Sequence, residues 1–319
     1  MIGSVRTVRG DAPPERLGRT NYHEHLFQVS PLLEGDELDN EKHSGEEAAT
    51  LHEAGMDAMV EATPTGLGRD PLAMARVSAR SGLKIIATTG AHREQHYGEG
   101  HWLLKMGAEE LCNRFVRDLT EALPASEDHA AAAPAITSGG PVRAGILKAG
   151  VGYWSITRFE LRVLEAIAEA HTRTGAPVMV HLEHGSAAFE VLGILTGLGV
   201  SAQRIVLAHA DRNPDPGMHV ELAAAGTYLG YDSGARLKDR PDSTVIACIL
   251  ETAALGAADR LLLGSDFARR SRYAAYYGGM PGLAYLPSRF VPRLAREGGQ
   301  DLIDAMLVRN PARLLTWAT

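Results

Sequence analysis

Two histidines near the start of the chain, in the stretch TNYHEHLF at residues 20–27, have the spacing of a metal-binding pair. Side chains alternate between the two faces of a strand, so His23 and His25 would point to the same face if this stretch is extended. Imidazole is a common ligand of zinc and similar divalent ions. Since an HxH pair also arises by chance, its meaning depends on the polar side chains that the fold brings beside it.

Eight short apolar stretches, rich in valine, isoleucine and leucine, recur along the chain and alternate with segments of helical spacing. They begin near residues 17, 56, 83, 143, 176, 204, 227 and 260. Nearly continuous apolar strands indicate a parallel sheet that is covered on both faces. We therefore predict an α/β protein with the (β/α)8 TIM-barrel fold, formed by one domain over residues 1–319, with its functional side chains at the carboxyl ends of the strands.

Helix boundaries are predicted from capping residues and from glycines beyond the helix ends. The three sets are Ser44 with Glu47 before Gly55, Asp70 with Pro71 before Gly82, and Thr157 with Glu160 before Gly175. A long insertion is expected between the third and fourth strands. It contains a helix near GAEELCNRFVRDLTEAL and an exposed loop at 124–140.

Polar side chains interrupt the apolar strands mainly at their predicted carboxyl ends. They are His23 and His25 on the first strand, Lys148 on the fourth, His181 on the fifth, His209 on the sixth and Asp266 on the eighth. A single histidine at a strand end is more often structural, and Asp266 alone could cap the next helix. Their coincidence at one end of one barrel favours a divalent-metal site. Five other histidines are assigned to surface or substrate loops: His92, His96, His101, His129 and His219.

Lys148 is unusual because the rest of its strand, AGILKAG, is apolar. An unpaired ammonium in a barrel interior is costly, and burial lowers its pKa. A lysine with a lowered pKa can react with carbon dioxide to form a carbamate, which is an anionic ligand able to bridge two metal ions. The alternative is an ordinary ion pair of Lys148 with Asp266 or Asp211.

Composition and charge exclude several classes of protein. The net charge of -7 argues against a general nucleic-acid binder, and the two cysteines, Cys112 and Cys248, have no CxxC spacing. The stretch MIGSVRTVRGDAPPERLG lacks the apolar region of a signal peptide, and no apolar run has the length of a membrane span. We therefore expect a cytoplasmic protein without nucleic-acid or membrane partners.

Seven stretches in order resemble the phosphotriesterase family of the amidohydrolase superfamily, whose members are binuclear metallohydrolases. They are NYHEHL, RAGILKAG, TGAPVMVHLEHG, RIVLAHADRN, YLGYDS, LLLGSDF and NPARLL, and they cover the chain from about residue 19. The ordered set is specific, whereas no single stretch would be.

The resemblance implies a site for two divalent ions, zinc or alternatively manganese or cobalt. By this resemblance His23, His25 and Asp266 hold one ion, His181 and His209 hold the other, and carboxylated Lys148 bridges them. A hydroxide between the two ions would attack the substrate, and Asp266 would carry its proton to the leaving group. Glu24 is expected to support the ligands from outside the site. A homodimer is also implied.

The stretches after the seventh and eighth strands resemble the branch of the family that hydrolyses phosphorylated sugar lactones. The resemblance implies that Lys238 and Arg269 bind the phosphate, together with Tyr273, although Arg272 occupies the position where the tyrosine is expected. Guanidinium groups match phosphate oxygens well, and the substrate is therefore expected to be a small anion. Phosphotriesterases proper have a histidine after the seventh-strand aspartate, where this chain has Ser233 after Asp232.

Three alternatives to a phosphorylated-lactone hydrolase are open from the sequence. One is a phosphotriesterase or another ester or lactone hydrolase. Another is a mononuclear deaminase on the same barrel, which would need one metal ion and no carbamate. The third is a barrel that binds or assembles without catalysis, because a fold alone does not determine a function.

Overall fold

A nearly closed barrel of eight parallel strands forms the centre of the computed structural model, which describes residues 3–127, 132–278 and 281–317. The strands are β1 (Thr20–Glu24), β2 (Ala58–Glu61), β3 (Lys84–Gly90), β4 (Ala144–Val151), β5 (Val178–Leu182), β6 (Ile205–Ala208), β7 (Tyr228–Tyr231) and β8 (Leu261–Leu263). Neighbours in the chain are neighbours in the sheet. The edges meet where the Asp266 N–H donates a 3.0 Å hydrogen bond to the His23 carbonyl oxygen. The predicted fold class and all eight strands are confirmed.

In the residues that the structure describes, one α-helix follows each of the first seven strands, and three follow the last. They are α1 (Glu41–Glu53), α2 (Pro71–Ser81), α3 (Ala108–Thr120), α4 (Arg158–Thr174), α5 (Ala188–Gly197), α6 (Pro216–Ala224), α7 (Asp242–Thr252), α8 (Ala274–Tyr277), α9 (Val291–Asp304) and α10 (Asn310–Leu315). Two predicted helix starts are confirmed, because the Asp70 side chain caps α2 and Thr157 forms a capping box with Glu160 on α4. Gly82 and Gly175 end these helices in the left-handed conformation.

The predicted start of α1 is wrong. The helix begins earlier, where the Asn40 side chain accepts hydrogen bonds from the backbone N–H groups of Lys42 and His43. Ser44 lies inside the helix and its hydroxyl donates to the Leu26 carbonyl oxygen. Glu47 accepts hydrogen bonds from the backbone N–H groups of Ala275 on α8 and of Leu283. Both residue types also suit buried tertiary contacts, which local spacing does not reveal.

The connection between β3 and β4 is more ordered than expected. Helix α3 is confirmed and packs against α4 and the sheet as the third helix of the barrel. The exposed loop predicted at 124–140 contains a short antiparallel pair, Ile136–Thr137 with Gly140–Pro141, and Ala135 is fully buried. Part of that loop, including His129, lies outside the described residues.

The core has two layers. The barrel interior is filled mainly by Tyr22, Val60, Ile86, Ile146, Met179, Val206, Tyr228 and Leu262. A larger cluster lies between the sheet and the surrounding helices. Val5, on a hairpin of Val5–Thr7 and Gly10–Ala12, joins the interior layer and pairs with Thr316. Within the described ranges no helix has the length and apolar character needed to cross a bilayer.

Candidate active site

The six side chains predicted as metal ligands converge at the carboxyl ends of the strands. Lys148 lies on β4 and His181 on β5, while His209 and Asp266 follow β6 and β8. His23 Nε2 is 3.3 Å from Lys148 Nζ and 3.6 Å from Asp266 Oδ1. Side chains that are far apart in the chain therefore form one buried cluster, as the barrel fold requires.

His23 and His25 each use one ring nitrogen to bond to the surrounding protein. His23 Nδ1 is 3.1 Å from Asp232 Oδ2. His25 Nδ1 is 2.7 Å from Thr63 Oγ1, and the Thr63 hydroxyl donates to Glu61. Because these partners accept, the hydrogen-bond network assigns the ring proton to Nδ1 and leaves the Nε2 lone pairs directed inward.

His181 and His209 follow the same rule. His181 Nε2 is 2.8 Å from Glu183 Oε2, and His209 Nδ1 is 2.6 Å from Asp232 Oδ1. The opposite nitrogens, His181 Nδ1 and His209 Nε2, are 2.7 Å from each other. Burial lowers the pKa of all four imidazoles, to about 3 for His25 and His209, so the rings are neutral.

This donor set fits divalent metal ions. With the outer nitrogens occupied, lone pairs of His181 and His209 face each other, and those of His23 and His25 face Asp266 Oδ1 at 3.6 and 3.5 Å. Acceptors that face acceptors in a buried site are satisfied by a cation. The ligand atoms of His23, His25 and Asp266 all lie within 4.8 Å of one another. Imidazole and carboxylate together suit zinc and similar ions.

Asp266 divides its two carboxylate oxygens between different partners. Oδ1 faces His23 and His25, whereas Oδ2 accepts hydrogen bonds from Arg212 at 2.7 Å and Arg236 at 2.5 Å. Burial opposes its ionisation, but the nearby His23 imidazole and the Arg236 guanidinium hold the pKa of Asp266 well below its usual range. Its backbone has a positive φ of 44°, a strain typical of functional sites. The carboxylate is thus held ionised.

Lys148 is fully buried, as expected from its apolar strand. Burial lowers its pKa to about 8, which increases the fraction of neutral amine. Gly90 makes room for this strand, because a Cβ at its φ of 119° would lie 1.9 Å from the Lys148 carbonyl oxygen. In the described part of the chain Lys148 makes no ion pair with Asp266 or Asp211, and its Nζ lies 3.3 Å from His23 Nε2. The ion-pair alternative is not supported.

Asp232 supports two ligands at once, and sequence reasoning did not assign it this role. Its carboxylate accepts bonds from His23, His209 and the Tyr22 hydroxyl. Tyr22 reaches it only because Gly230 lacks a side chain: a Cβ there would lie 1.9 Å from the Tyr22 hydroxyl oxygen. An acidic residue directly after an apolar strand was the available signal. Arg212, which follows the sixth strand, was also missed.

Glu24 and Tyr273 stabilise the end of β1 through hydrogen bonds outside the metal-ligand cluster. Glu24 is buried and accepts bonds from the Ser265 hydroxyl and the Phe267 N–H, which confirms a structural setting outside the cluster. Tyr273 is also fully buried, and its hydroxyl donates to Glu24 and to the His25 carbonyl oxygen. This differs from the expected substrate contact, because the hydroxyl is already used inside the protein.

Four of the five histidines assigned to surface or substrate loops fall in the described part of the chain, and three of them are buried. His92 and His96 line the inner cavity beside the metal ligands. His219 lies on α6, not in a loop, and bonds to the Tyr231 hydroxyl and the Ala210 carbonyl oxygen. The surface assignment is therefore wrong for His219. His92 and His96 lie where a substrate loop would place them.

The cluster opens into a cavity of about 150 Å³, which we call the inner cavity. It is lined by the predicted ligands other than His209, together with Arg93, Glu183, Arg212, Arg236 and Arg269. A second cavity of about 660 Å³, here called the basic pocket, shares Arg236 and Arg269 with it. The basic pocket also contains Lys238 and Arg272, so its four cations exceed the two carboxylates of Asp36 and Asp239. The predicted residues Lys238 and Arg269 therefore line one pocket beside the cluster.

Two cations of the basic pocket have donors that find no partner in the described part of the chain. Arg272 Nη1 and Arg236 Nε are buried and make no hydrogen bond with the described residues. Burial and the charge of Arg236 lower the pKa of Arg272. A buried donor without a partner is costly, and an anion in the pocket would satisfy it.

Comparison with known proteins identifies the family of the chain. The model of the phosphotriesterase family matches residues 3–315. The chain belongs to the phosphotriesterase family. It is 32% identical to a phospho-furanose lactonase of Mycoplasmopsis synoviae, over 98% of this chain and 92% of that protein. It is also 30% identical to an N-acetyltaurine hydrolase of Danio rerio, over 99% of each chain. Like these relatives, this phosphotriesterase-family protein is a hydrolase.

Solved structures of the family have the same fold. A lactonase from Listeria monocytogenes superposes with a TM-score of 0.89 at 30% identity, covering 99% of this chain and 100% of that chain. A phosphotriesterase homology protein from Escherichia coli, solved with phosphate in its active site, gives a TM-score of 0.84 at 26% identity, covering 94% and 99%. The barrel is thus preserved over nearly the whole length.

Proposed function

We propose that this chain is a metal-dependent lactonase that opens phosphorylated sugar lactones. Its metal ions would be two divalent cations, zinc or alternatively manganese or cobalt. His23, His25 and Asp266 would hold one, His181 and His209 the other, and carboxylated Lys148 would lie between them. When bound, such ions lower the pKa of the attacking water and polarise the substrate carbonyl group. Residues 1–319 would form one catalytic domain.

The proposal rests on one observation: the inner cavity with its metal ligands adjoins the basic pocket with its excess of cations. Four neutral imidazoles direct their lone pairs toward one another or toward Asp266, and three of them, His23, His25 and His181, line the inner cavity. Arg236 and Arg269 line both that cavity and the basic pocket. A substrate that reacts at the cluster and carries an anionic group a few bonds away would occupy both.

Asp266 is the proposed proton carrier. Its carboxylate is buried beside the ligand nitrogens and ionised, so it can accept a proton from the attacking water and donate it to the ring oxygen that leaves when the lactone opens. Arg212 and Arg236 hold Oδ2 and so fix the orientation of the group. Preorganisation of this kind reduces the reorganisation needed during reaction.

Phosphate recognition is assigned to Lys238 and Arg269, with Arg272 and Arg236 as further donors. Lys238 is exposed and makes no hydrogen bond or ion pair with the described residues. Arg269 is 3.4 Å from Asp36 and is partly exposed. Both can therefore turn toward a ligand at little cost. The phosphate in the active site of the Escherichia coli relative and the phospho-furanose lactonase relatives support an anionic substrate.

A second candidate is hydrolysis of an amide that carries a sulfonate, since an N-acetyltaurine hydrolase is 30% identical over 99% of this chain. Sulfonate and phosphate share oxygen acceptors that guanidinium groups recognise. Aryl phosphotriesters are a weaker candidate. The residue after Asp232 is the buried Ser233, whose N–H donates to Asp211, and it offers no imidazole for proton relay.

The test is a substrate screen with the zinc-loaded protein. We expect phosphorylated furanose and pyranose lactones to be hydrolysed with a kcat/KM about 10- to 100-fold above their unphosphorylated counterparts, because a charged hydrogen bond contributes about 1.5–3 kcal/mol. N-acetyltaurine and aryl phosphotriesters are the other arms. Equal rates with and without phosphate would contradict the proposal, and fastest turnover of N-acetyltaurine would favour the second candidate. The homodimer and the cytoplasmic location stay predictions.

A further inference from the structure

A third cavity, of about 920 Å³, opens beside the inner cavity, on the side away from the basic pocket. Tyr153 and Trp154 form one wall, and we call it the aromatic cavity. At its inner end it shares Arg93, Glu183 and Arg212 with the inner cavity. The inner cavity, with the predicted metal ligands, thus adjoins both the aromatic cavity and the basic pocket.

The aromatic cavity and the basic pocket lie on different sides of the barrel mouth. Residues of the aromatic cavity come from the segments after β3, β4, β5 and β6, whereas those of the basic pocket come mainly from the segments after β7 and β8. A compact phosphorylated lactone with its phosphate in the basic pocket would leave the aromatic cavity empty. The site therefore has room for a longer substrate.

Two aromatic side chains are held in solvent at the wall of this cavity. Tyr153 is 61% exposed and Trp154 is 64% exposed. Trp154 has a positive φ of 47°, which is a strained conformation for a bulky residue. The strain is maintained by the hydrogen bond from its N–H to Ser186 Oγ at 3.1 Å. Strained, exposed aromatic residues at a cavity wall are typical of a ligand contact.

The charges of the aromatic cavity balance. Arg93 and Arg212 are matched by Glu160 and Glu183, in contrast to the excess of cations in the basic pocket. The rest of the lining consists of Gly152, the polar side chains of Gln95, Ser155, Thr157, Ser186 and Asn213, and His184, whose ring contacts Tyr153 edge-on at 5.8 Å. Aromatic faces combined with neutral hydrogen-bonding groups suit a ligand that is apolar on its ring faces and hydroxylated at its edges.

We propose that the aromatic cavity binds a second, uncharged sugar ring of an extended substrate, stacked on Trp154, with Tyr153, whose ring is inclined by 69° to that of Trp154, against the edge of the sugar. The inference deepens the proposed function and rests on it, because it assumes that a sugar lactone is opened at the metal ligands. In this arrangement one end of the substrate is anchored by charge and the other by stacking. The enzyme would then act on glycosylated sugar lactones as well as on compact ones.

The experiment compares two sugar acids that differ by one ring. Gluconate and lactobionate carry the same carboxylate, but lactobionate has an additional galactose unit. Their binding to the zinc-loaded protein is measured by isothermal titration calorimetry. We expect lactobionate to bind about fivefold to tenfold more tightly, as one aromatic contact allows. The hydrolysis of lactobionolactone relative to gluconolactone should show the same ratio in kcat/KM.

Variants of Trp154 and Tyr153 test whether these residues cause the tighter binding of lactobionate. Trp154→Ala should abolish the advantage of lactobionate and Tyr153→Ala should reduce it, while gluconate binding is unchanged in both. Phe189→Ala is the matched control, since Phe189 is an exposed aromatic residue on α5 that is 47% exposed and does not line the cavity. The proposal is wrong if lactobionate binds no more tightly than gluconate, and also if neither acid binds. It is likewise wrong if lactobionate still binds more tightly than gluconate in the Trp154→Ala variant. A missing preference for phosphorylated lactones would instead contradict the proposed function and leave this comparison unaffected.

Discussion

The metal-ligand cluster and the basic pocket are neighbours, yet they are built in opposite ways. Each imidazole of the cluster is buried, and its outer ring nitrogen is held by a hydrogen bond, as His209 is held by Asp232. In the basic pocket, by contrast, Lys238 is exposed and has no partner among the residues that the structure describes, and Arg269 makes one ion pair with them, of 3.4 Å to Asp36. The comparison indicates that atoms close to the reaction are preorganised, whereas groups that hold the distal end of the substrate can adapt.

If this comparison is right, the largest effect should follow from the removal of Lys148. Lys148→Ala should lower kcat/KM about 10²- to 10³-fold, because metal-ion stabilisation is worth several kcal/mol and each 1.36 kcal/mol is tenfold. Metal content measured by mass spectrometry should fall with it. Short carboxylates such as acetate should restore part of the activity by replacing the carbamate. Lys105→Ala, at an exposed site, is the control. Full metal content and activity in Lys148→Ala would refute the bridging role.

An intermediate effect is expected from Asp232, which touches two imidazoles but would not touch a metal ion. Asp232→Asn replaces an acceptor by an amide and disturbs the tautomers of His23 and His209. Metal affinity or activity should fall about 10- to 100-fold, as for other residues that orient metal ligands. Competition with a chelator measures the affinity. Asp259→Asn changes an exposed carboxylate and should have no effect. An unchanged affinity in Asp232→Asn would mean that the strands alone orient the rings.

Substitutions in the basic pocket should affect binding and not chemistry. Lys238→Ala and Arg269→Ala should each raise KM for a phosphorylated lactone about tenfold, which corresponds to one charged hydrogen bond, and leave kcat nearly unchanged. Steady-state kinetics with and without the phosphate group measure the difference. Lys42→Ala, whose side chain is 80% exposed on α1, serves as the control. A fall in kcat with an unchanged KM would place these side chains at the reaction centre instead.

The smallest effect is expected at Tyr273, where the sequence predicted a substrate contact. Tyr273→Phe removes the hydroxyl that bonds to Glu24 and the His25 carbonyl oxygen. The free energy of unfolding should fall by about 1 kcal/mol, the net value of a hydrogen bond, while KM stays the same. Urea denaturation measures the stability, and Tyr277→Phe at a 66% exposed position is the control. A selective rise in KM for phosphorylated lactones would restore the substrate role.

Local sequence patterns were sufficient where a residue acts through its own segment. The Asp70 cap and the capping box of Thr157 and Glu160 involve neighbours in the chain and are therefore predictable. Ser44 and Glu47 have the same pattern, but their side chains bond to Leu26 and to the segment after β8. Such partners are distant in sequence, so spacing alone could not distinguish the two uses.

The residues of the site also differ in whether their role could be predicted from their own segment or depends on distant partners. Histidines, a lysine and an aspartate at the ends of apolar strands indicated the ligand set, because the strands of a barrel all end at one mouth. Asp232 has an equally clear position after β7, yet its role depends on Tyr22 reaching it across Gly230. Arg212 and Arg236 likewise acquire their roles from their distance to Asp266.

The sequence by itself determined the order of strands and helices, the family and the residue types that can bind metal. The elements and the residue types follow from hydrophobic periodicity and from side-chain chemistry, which are properties of each segment, and the family follows from the resemblance of the seven ordered stretches. Only the tertiary structure decided which ring nitrogen of each histidine faces inward, that the Tyr273 hydroxyl bonds inside the protein, and that two cavities of different charge flank the ligands. Those features depend on distances between loops that are remote in the chain, and the packing of the whole barrel sets such distances.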